Sequence, residues 1–237
     1  MDSKFSELAH KWAVEDKQID TQGFNEVMNI MKHNHNKIFY IMGKSASGKD
    51  TIFQKLMYEL QYRKDIPEGS AQYKPILMST TRPMRSGESN GKEYNFVNYD
   101  WFLQMSHSNQ VAEYRDYYTV HGTWTYFTPW SELDVSKYNR IGIGTLESYM
   151  QLKSKLKDKI VPIYIYTDDV TRFTRAFYRE LKGKQDFTEL CRRYLSDNDD
   201  YSIGKIAAAN IQLMFNNSNS DITKCVDSIL RYIRSFA

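Results

Sequence analysis

Little in this sequence points outside a plain intracellular domain. Its 237 residues include only two cysteines, Cys191 and Cys225, far apart and without a CxxC partner or a zinc-type spacing. Neither a disulfide framework nor a zinc centre is expected, and both thiols are read as reduced. No apolar stretch approaches the ~18 residues that a membrane helix needs. The opening MDSKFSELAHKWAVEDKQID carries acids and lacks the apolar run of a signal peptide. Membrane spanning and export are therefore not expected, and the cytoplasm is the expected compartment. An excess of one charge is missing too: the net charge is +3, with acids and bases interleaved, so no basic stripe marks a nucleic-acid surface. Internal repeats and low-complexity tracts are absent.

Aromatic residues are plentiful, at 14% with 18 tyrosines, and most are read as core or half-buried sheet positions. The length suits one compact domain with elaborations. Residues 1–36 read as an N-terminal extension, with His33 and His35 part of a solvated linker rather than a metal pair. From Lys37 a strand (KIFYIM), an amphipathic helix (DTIFQKLMYELQYR) and a strand (KPILMSTT) form a βαβ unit. A turn-rich loop, SGESNGKEYNF, and aromatic strands around a turn at HGT form a small β lobe. Alternation resumes with strand YNRIGIGT, helix LESYMQLKSKLK and strand IVPIYIY. Two helices then flank KGKQD, the first capped by Asp168 or Asp169, before strand IQLMFNN and helix DITKCVDSILRYIRSF. The fold class is α/β, a parallel sheet flanked by helices with an inserted lobe.

Between the first strand and helix stands GKSASGKDT, residues 43–51, which satisfies G-x-x-x-x-G-K in the strand–loop–helix context the motif requires. Small residues let the backbone N–H groups of Gly43, Ser45, Ala46, Ser47 and Gly48 and the helix N-terminus face phosphates, while Lys49 follows their outer charge. Asp50 occupies the position whose hydroxyl ordinarily ligates magnesium. A carboxylate can also hold that ion, directly or through water, so Asp50 is the metal candidate. Thr51 offers a hydroxyl one residue later, turned ~100° around the helix.

The stretch STTRPMRSGESNGKEYNF, residues 79–96, resembles the GMP-binding segment of guanylate kinases, STTRxxRxGExxGxxYxF. With the phosphate loop, the resemblance runs from about Lys37 to the C-terminus and is weak in the middle. It implies a P-loop kinase fold: extension 1–36, then a kinase-like domain 37–237 with core 37–78, 137–172 and 200–237, acceptor lobe 79–136 and lid 173–199. It also implies that residues 43, 45–48 and 49–51 bind ATP phosphates, and that Arg82, Arg85, Tyr94 and Tyr126 hold the GMP phosphate while Ser79 and Glu113 face guanine. Apart from the family, two guanidinium groups on one loop suit a phosphate through planar multidonor contacts that lysine lacks. A carboxylate accepting from guanine N1–H and N2–H₂ discriminates against adenine.

The implied lid carries Arg175 and Arg179, at i and i+4 on one helix face, and Arg192 and Arg193 beyond the break. By resemblance, with Lys49, they stabilise charge on the transferred group, although a solvated helix face would look similar; Arg172 is read as sharing that surface without touching ligand. The family's LDIDxxG strand aligns with RIGIGTLES, where Gly142 and Gly144 stand in place of the acids and Glu147 follows at a helix start. The resemblance implies magnesium, ATP and GMP or a related monophosphate, with no nucleic-acid or membrane partner and a monomer or homodimer. Phosphoryl transfer is the leading expectation. A module without catalysis, for binding nucleotide or protein, and a kinase of another monophosphate are the alternatives.

Overall fold

A computed structural model describes residues 36–62, 72–119, 122–183, 185–218 and 222–236. The extension before Asn36, with His33 and His35, lies outside the described residues, as does His121 of the expected turn. In chain order the elements are β1 (Ile38–Met42), α1 (Lys49–Tyr62), β2 (Tyr73–Pro75), β3 (Ser79–Thr80), β4 (Asn95–Phe96), α2 (Tyr99–His107), β5 (Val111–Thr119), β6 (Gly122–Pro129), β7 (Asn139–Gly144), α3 (Leu146–Leu156), β8 (Ile160–Tyr166), α4 (Asp169–Lys182), α5 (Phe187–Asp200), α6 (Ile203–Ala208), β9 (Met214–Asn216) and α7 (Ile222–Arg234). Residues 77–136 form one compact unit, and residues 36–76 with 137–236 form another.

The larger unit is built on a five-stranded sheet in the order β2-β7-β1-β8-β9, every neighbouring pair parallel. Strands β1 and β8 are apolar on both faces because both faces are covered. Phe39, Ile41, Val161, Ile163 and Ile165 point to the side where Ile52 and Leu56 of α1 meet Val226, Ile229 and Ile233 of α7. Tyr40 points to the other face, where its ring lies 6.4 Å from that of Tyr149 on α3. Thr145 caps α3, its side chain accepting from Ser148 N–H in a reciprocal box. Asp168 caps α4 by accepting from Thr171 N–H at 2.8 Å, as the sequence suggests.

In the smaller unit the strands run β4-β3-β6-β5. Strands β5 and β6 form an antiparallel ladder from Glu113↔Thr128 to Thr119↔Gly122. On one face Phe102 of α2 packs on Phe127 and Tyr114, with ring centroids 5.1 and 5.5 Å away. The sequence reading did not anticipate α2, which starts where the Asn98 side chain accepts from Trp101 N–H at 2.8 Å, nor the short α6.

KPILMSTT, expected as one strand, is two strands in two sheets. Pro75 ends β2 at a sheet edge, where a missing N–H is tolerated. After Ile76 the Leu77 N–H donates to the Glu132 carboxylate at 3.1 Å instead of to a ladder, and β3 begins at Ser79. Likewise IQLMFNN contributes only Met214–Asn216 to the sheet. No helix among the described residues is long and apolar enough to cross a membrane.

Candidate functional site

The carboxyl ends of β1, β8 and β9 meet around residues 43–48, the position where open α/β sheets bind ligands. Ala46 (φ 59°) and Gly48 (φ 86°) take left-handed backbone conformations, which curl the loop, and the Ser47 N–H closes a turn on the Lys44 carbonyl at 3.2 Å. Gly48 is required twice, since a Cβ there would overlap the Asn217 amide. That amide and the Thr167 hydroxyl both donate to the Ser47 carbonyl, at 2.8 and 3.1 Å, and fix the loop from outside. Lys49 opens α1 with its Nζ 3.9 Å from the Asp50 carboxylate, which is 81% exposed. Thr51 is also exposed.

The four lid arginines do not converge. Arg175 reaches the phosphate loop: Nη2 donates to the Asn217 carbonyl at 2.9 Å, while Nη1 is buried with no hydrogen-bond partner among the described residues and faces Gly48. Arg179 and Arg193 line a shallow, solvent-open groove with Ser45, Arg172 and Asp197. Arg192 and Arg193 both grip Glu189, at 2.6 and 2.7 Å, one turn back on α5. Those two guanidinium groups, Arg192 first, pull the Glu189 carboxyl down to about 2.

Arg172, expected on the exposed surface, is instead buried at 1% exposure. Its guanidinium pairs with Asp169 at 2.8 Å and Asp197 at 3.3 Å and donates to the Ser45 carbonyl at 3.1 Å. Asp197 in turn accepts from the Ser45 N–H at 2.7 Å, so a carboxylate from α5 already faces the phosphate loop. Burial, and then the Arg172 charge, hold Lys44 below the usual lysine range. A helical 3.6 period cannot signal this cluster, because its members come from a loop and two helices.

In the smaller unit Arg82, Tyr94 and Tyr126 come together. Arg82 Nε donates to the Tyr126 hydroxyl at 3.0 Å, and the Tyr94 and Tyr126 rings meet edge-on at 5.5 Å. Glu88 grips the other edge of Arg82 at 3.0 and 2.8 Å, which holds the Glu88 carboxyl below its ordinary value and locks the guanidinium plane. Arg85 has an exposed side chain, and its N–H donates to Glu88 at 2.7 Å. Glu113 is buried and accepts from the Thr128 hydroxyl at 2.6 Å. Its partner across 3.4 Å is Arg115, two residues along the same face of β5. Ser79 is placed elsewhere. It pairs with Phe127 across the ladder, so its buried side chain leaves on the α2 face, opposite to the face shared by Glu113, Thr128 and Tyr126.

A loop of this shape joined in sequence to an Arg–Tyr–Tyr cluster has counterparts. The family model described as guanylate kinase matches residues 35–170. The chain belongs to the guanylate kinase family. It is 25% identical over 154 residues to a guanylate kinase of Nitrobacter winogradskyi, covering 63% of each chain. With one of Campylobacter jejuni it shares 30% over 131 residues, 55% of this chain and 58% of that one. The match thus spans less than two thirds of the length of these relatives. A guanylate kinase of Porphyromonas gingivalis aligns at 20% identity over 84% of this chain and 97% of its own. The crystal structure of guanylate kinase from Anaplasma phagocytophilum superposes with a TM-score of 0.55 at 16% identity, over 84% of this chain and 85% of that one, which is a likeness of fold.

At Gly142 and Gly144, where the resemblance leads one to expect acids, the fold shows why side chains are absent. In the parallel ladder Tyr40 of β1 faces Gly142, and Met42 faces Gly144. The Tyr40 ring lies flat over both glycines. A Cβ at Gly144 would overlap the Tyr40 hydroxyl and come within 2.8 Å of Cζ, and one at Gly142 would lie 2.8 Å from Cδ2. No acidic side chain fits on this face of β7 while Tyr40 is present. Tyr40, Asp197 and Asn217 escaped the sequence reading because each matters through a partner distant in the chain, and Arg115 escaped although Glu113 lies two residues before it on the same strand face. Glu147 falls in the first turn of α3, where a helix N-terminus favours an acid.

Proposed function

We propose that this protein transfers the terminal phosphoryl group of ATP to GMP or a closely related nucleoside monophosphate, giving ADP and the diphosphate. The observation that carries the reading is the Arg82–Tyr94–Tyr126 cluster. A phosphate loop alone serves any nucleotide-using protein, whereas a second preformed grip for phosphate implies an acceptor. Arg82, oriented by Glu88, and the Tyr126 hydroxyl would hold the acceptor phosphate, with Arg85 and Tyr94 beside them. Glu113 would take guanine N1–H and N2–H₂. On the donor side the loop from Gly43 through Ser47 to Gly48 would cradle ATP, with Lys49 and the unpartnered Arg175 Nη1 drawing charge off the transferred group. Arg179, Arg192 and Arg193 would add to this field on lid closure.

In-line transfer needs little covalent help from the protein, so positioning and charge neutralisation do most of the work. Asp50, at the start of α1 and 81% exposed, would hold magnesium. Among the described residues no group of three or more His, Cys, Asp or Glu side chains could hold a metal. A single exposed carboxylate nevertheless fits an ion that keeps several waters and takes its other ligands from substrate phosphates. When bound, the ion would neutralise charge on the β and γ oxygens. Thr51 is the neighbouring hydroxyl. The free thiols Cys191 and Cys225 support a reducing compartment, taken as the cytoplasm.

A second reading, a nucleotide-binding or protein-interaction module without catalysis, is favoured by Tyr40 filling the place of the acids and by Asp197 already bonded to the phosphate loop. Coupled ADP release from ATP and GMP, with and without magnesium, separates the two. Magnesium-dependent turnover that disappears in Lys49→Ala establishes the kinase, and Asp50→Ser reports whether the carboxylate is needed for the metal. GMP binding without turnover on any common monophosphate leaves the module.

A further inference from the structure

The predicted guanine contacts are a carboxylate and a hydroxyl, Glu113 and Ser79, yet Ser79 leaves the sheet on the wrong face to stand beside Glu113. The place beside Glu113 belongs to Arg115. Both side chains are buried, at 1% and 6% residue exposure, with Arg115 Nε 3.4 Å from Glu113 Oε2. The Glu113 carboxylate is steadied from the other side by Thr128, and Arg115 Nη1 donates to the Tyr117 hydroxyl at 3.3 Å. Across the ladder Arg115 pairs with Tyr126, whose hydroxyl accepts from Arg82. One face of the sheet therefore runs from phosphate-type donors (Arg82, Tyr126) to a cation (Arg115) and then to a carboxylate (Glu113).

We propose that Arg115 is a specificity-determining residue for the acceptor base, donating to O6 of guanine while Glu113 accepts from N1–H and N2–H₂. The inference rests on the acceptor reading above and deepens it. Guanine presents an acceptor next to two donors on one edge. A carboxylate matches only the donors and leaves O6 without a partner. A guanidinium supplies that partner, and arginine directed at guanine O6 and N7 is the commonest base-specific contact in nucleic-acid readout. Adenine places an amino group at the same position, so Arg115 would meet donor with donor and reject it independently of Glu113. Because the pair is already withdrawn from water, a base that fails to satisfy it leaves a buried charge-bearing group unmatched, which makes the discrimination steep. Lysine could keep Glu113 neutralised but lacks the planar fork.

The test is the binding of GMP, 6-thio-GMP, IMP and AMP to the full chain, by calorimetry, for wild type, Arg115→Lys and Arg115→Met. The 6-thio analogue weakens only the acceptor at position 6, and IMP lacks only the N2 amine that Glu113 reads. Wild type is expected to prefer GMP over 6-thio-GMP by ~10-fold or more, the scale of one good base contact. Arg115→Met, which removes every donor, is expected to bring that ratio to within about twofold while the GMP-to-IMP ratio holds, and Arg115→Lys, which keeps a donor without the planar fork, to lower it part of the way. If Arg115→Met does not fold, because Glu113 is left buried alone, Arg115→Lys and the wild-type ratios still decide. Equal wild-type affinity for GMP and 6-thio-GMP overturns the inference. A changed GMP-to-IMP ratio with the 6-thio ratio intact also overturns it, and leaves Arg115 as a support for Glu113. Wild type that binds AMP as tightly as GMP removes the acceptor reading itself.

Discussion

The fit of Tyr40 over Gly142 and Gly144 makes Gly144→Ala a sharp perturbation. The new Cβ would overlap the Tyr40 hydroxyl and lie 2.8 Å from Cζ and 3.1 Å from Cε1. Ordinary carbon contacts are ~3.5–4.0 Å, so the ring must retreat by roughly 1 Å. It has nowhere to go: Tyr40 is 1% exposed, its strand is bonded to β7 on one side and β8 on the other, and the Tyr149 ring stands 6.4 Å away. Overpacking of this kind costs about 1–3 kcal/mol. For a chain of this length that lowers the melting midpoint by ~2–4 °C per kcal/mol, or about 6 °C at the centre of both ranges. Tyr40→Leu alone also destabilises, by roughly 2–4 kcal/mol for the lost ring. The double variant has room for the methyl group, so its loss should fall short of the sum of the singles by at least ~1 kcal/mol. Thermal and urea unfolding followed by circular dichroism measure all four corners of the cycle. Additivity within ~0.5 kcal/mol, or a neutral Gly144→Ala, would refute the view that Tyr40 excludes side chains from this face. The corollary is that Gly144→Asp is tolerated only on a background that has lost the Tyr40 ring.

Removing the buried Arg172 should be costly. Arg172→Met strands the Asp197 carboxylate, whose side chain is 13% exposed, and is expected to destabilise by about 3–5 kcal/mol, read as a fall in melting midpoint; a change below ~1 kcal/mol contradicts the network's role. Glu189 gives a pH signature. Its folded value of about 2 lies below the ordinary 4.5, so its contribution is present above ~4.5 and is lost as pH falls from there toward 2. Unfolding of wild type and Glu189→Gln should therefore differ at pH 6 and converge near pH 2, and a difference unaffected by pH speaks against ion pairing. Glu88→Gln should loosen Arg82 and raise the KM for GMP with less effect on that for ATP, measured by steady-state kinetics; equal shifts in both would make Glu88 a general structural support.

The alternation of strand and helix, the phosphate loop and the segment proposed to bind the acceptor were legible because each is local. A P-loop is a strand, a glycine turn and a helix start within a dozen residues, and Arg82, Glu88 and Tyr94 lie in one short stretch. Asp168 was readable as a cap for the same reason. The strand KPILMSTT misled because apolar continuity says nothing about which sheet a residue joins, and the Glu132 carboxylate that ends the first strand is distant in sequence. Ser79 matched the motif by its order in the chain, but its face follows from pairing with Phe127.

The sequence by itself determined the family and the sheet class and pointed to the residues proposed to handle phosphate, since these are written in local spacing and residue chemistry. It also showed glycines at 142 and 144, where the resemblance leads one to expect acids. Only the tertiary structure decided what filled their space, because Tyr40 meets those glycines through parallel pairing between strands about a hundred residues apart. In the same way it buried Arg172 between Asp169 and Asp197 and brought Asn217 and Arg175 to the phosphate loop. Each of these depends on which side chains are forced together when water is excluded, a property of packing that no linear pattern records.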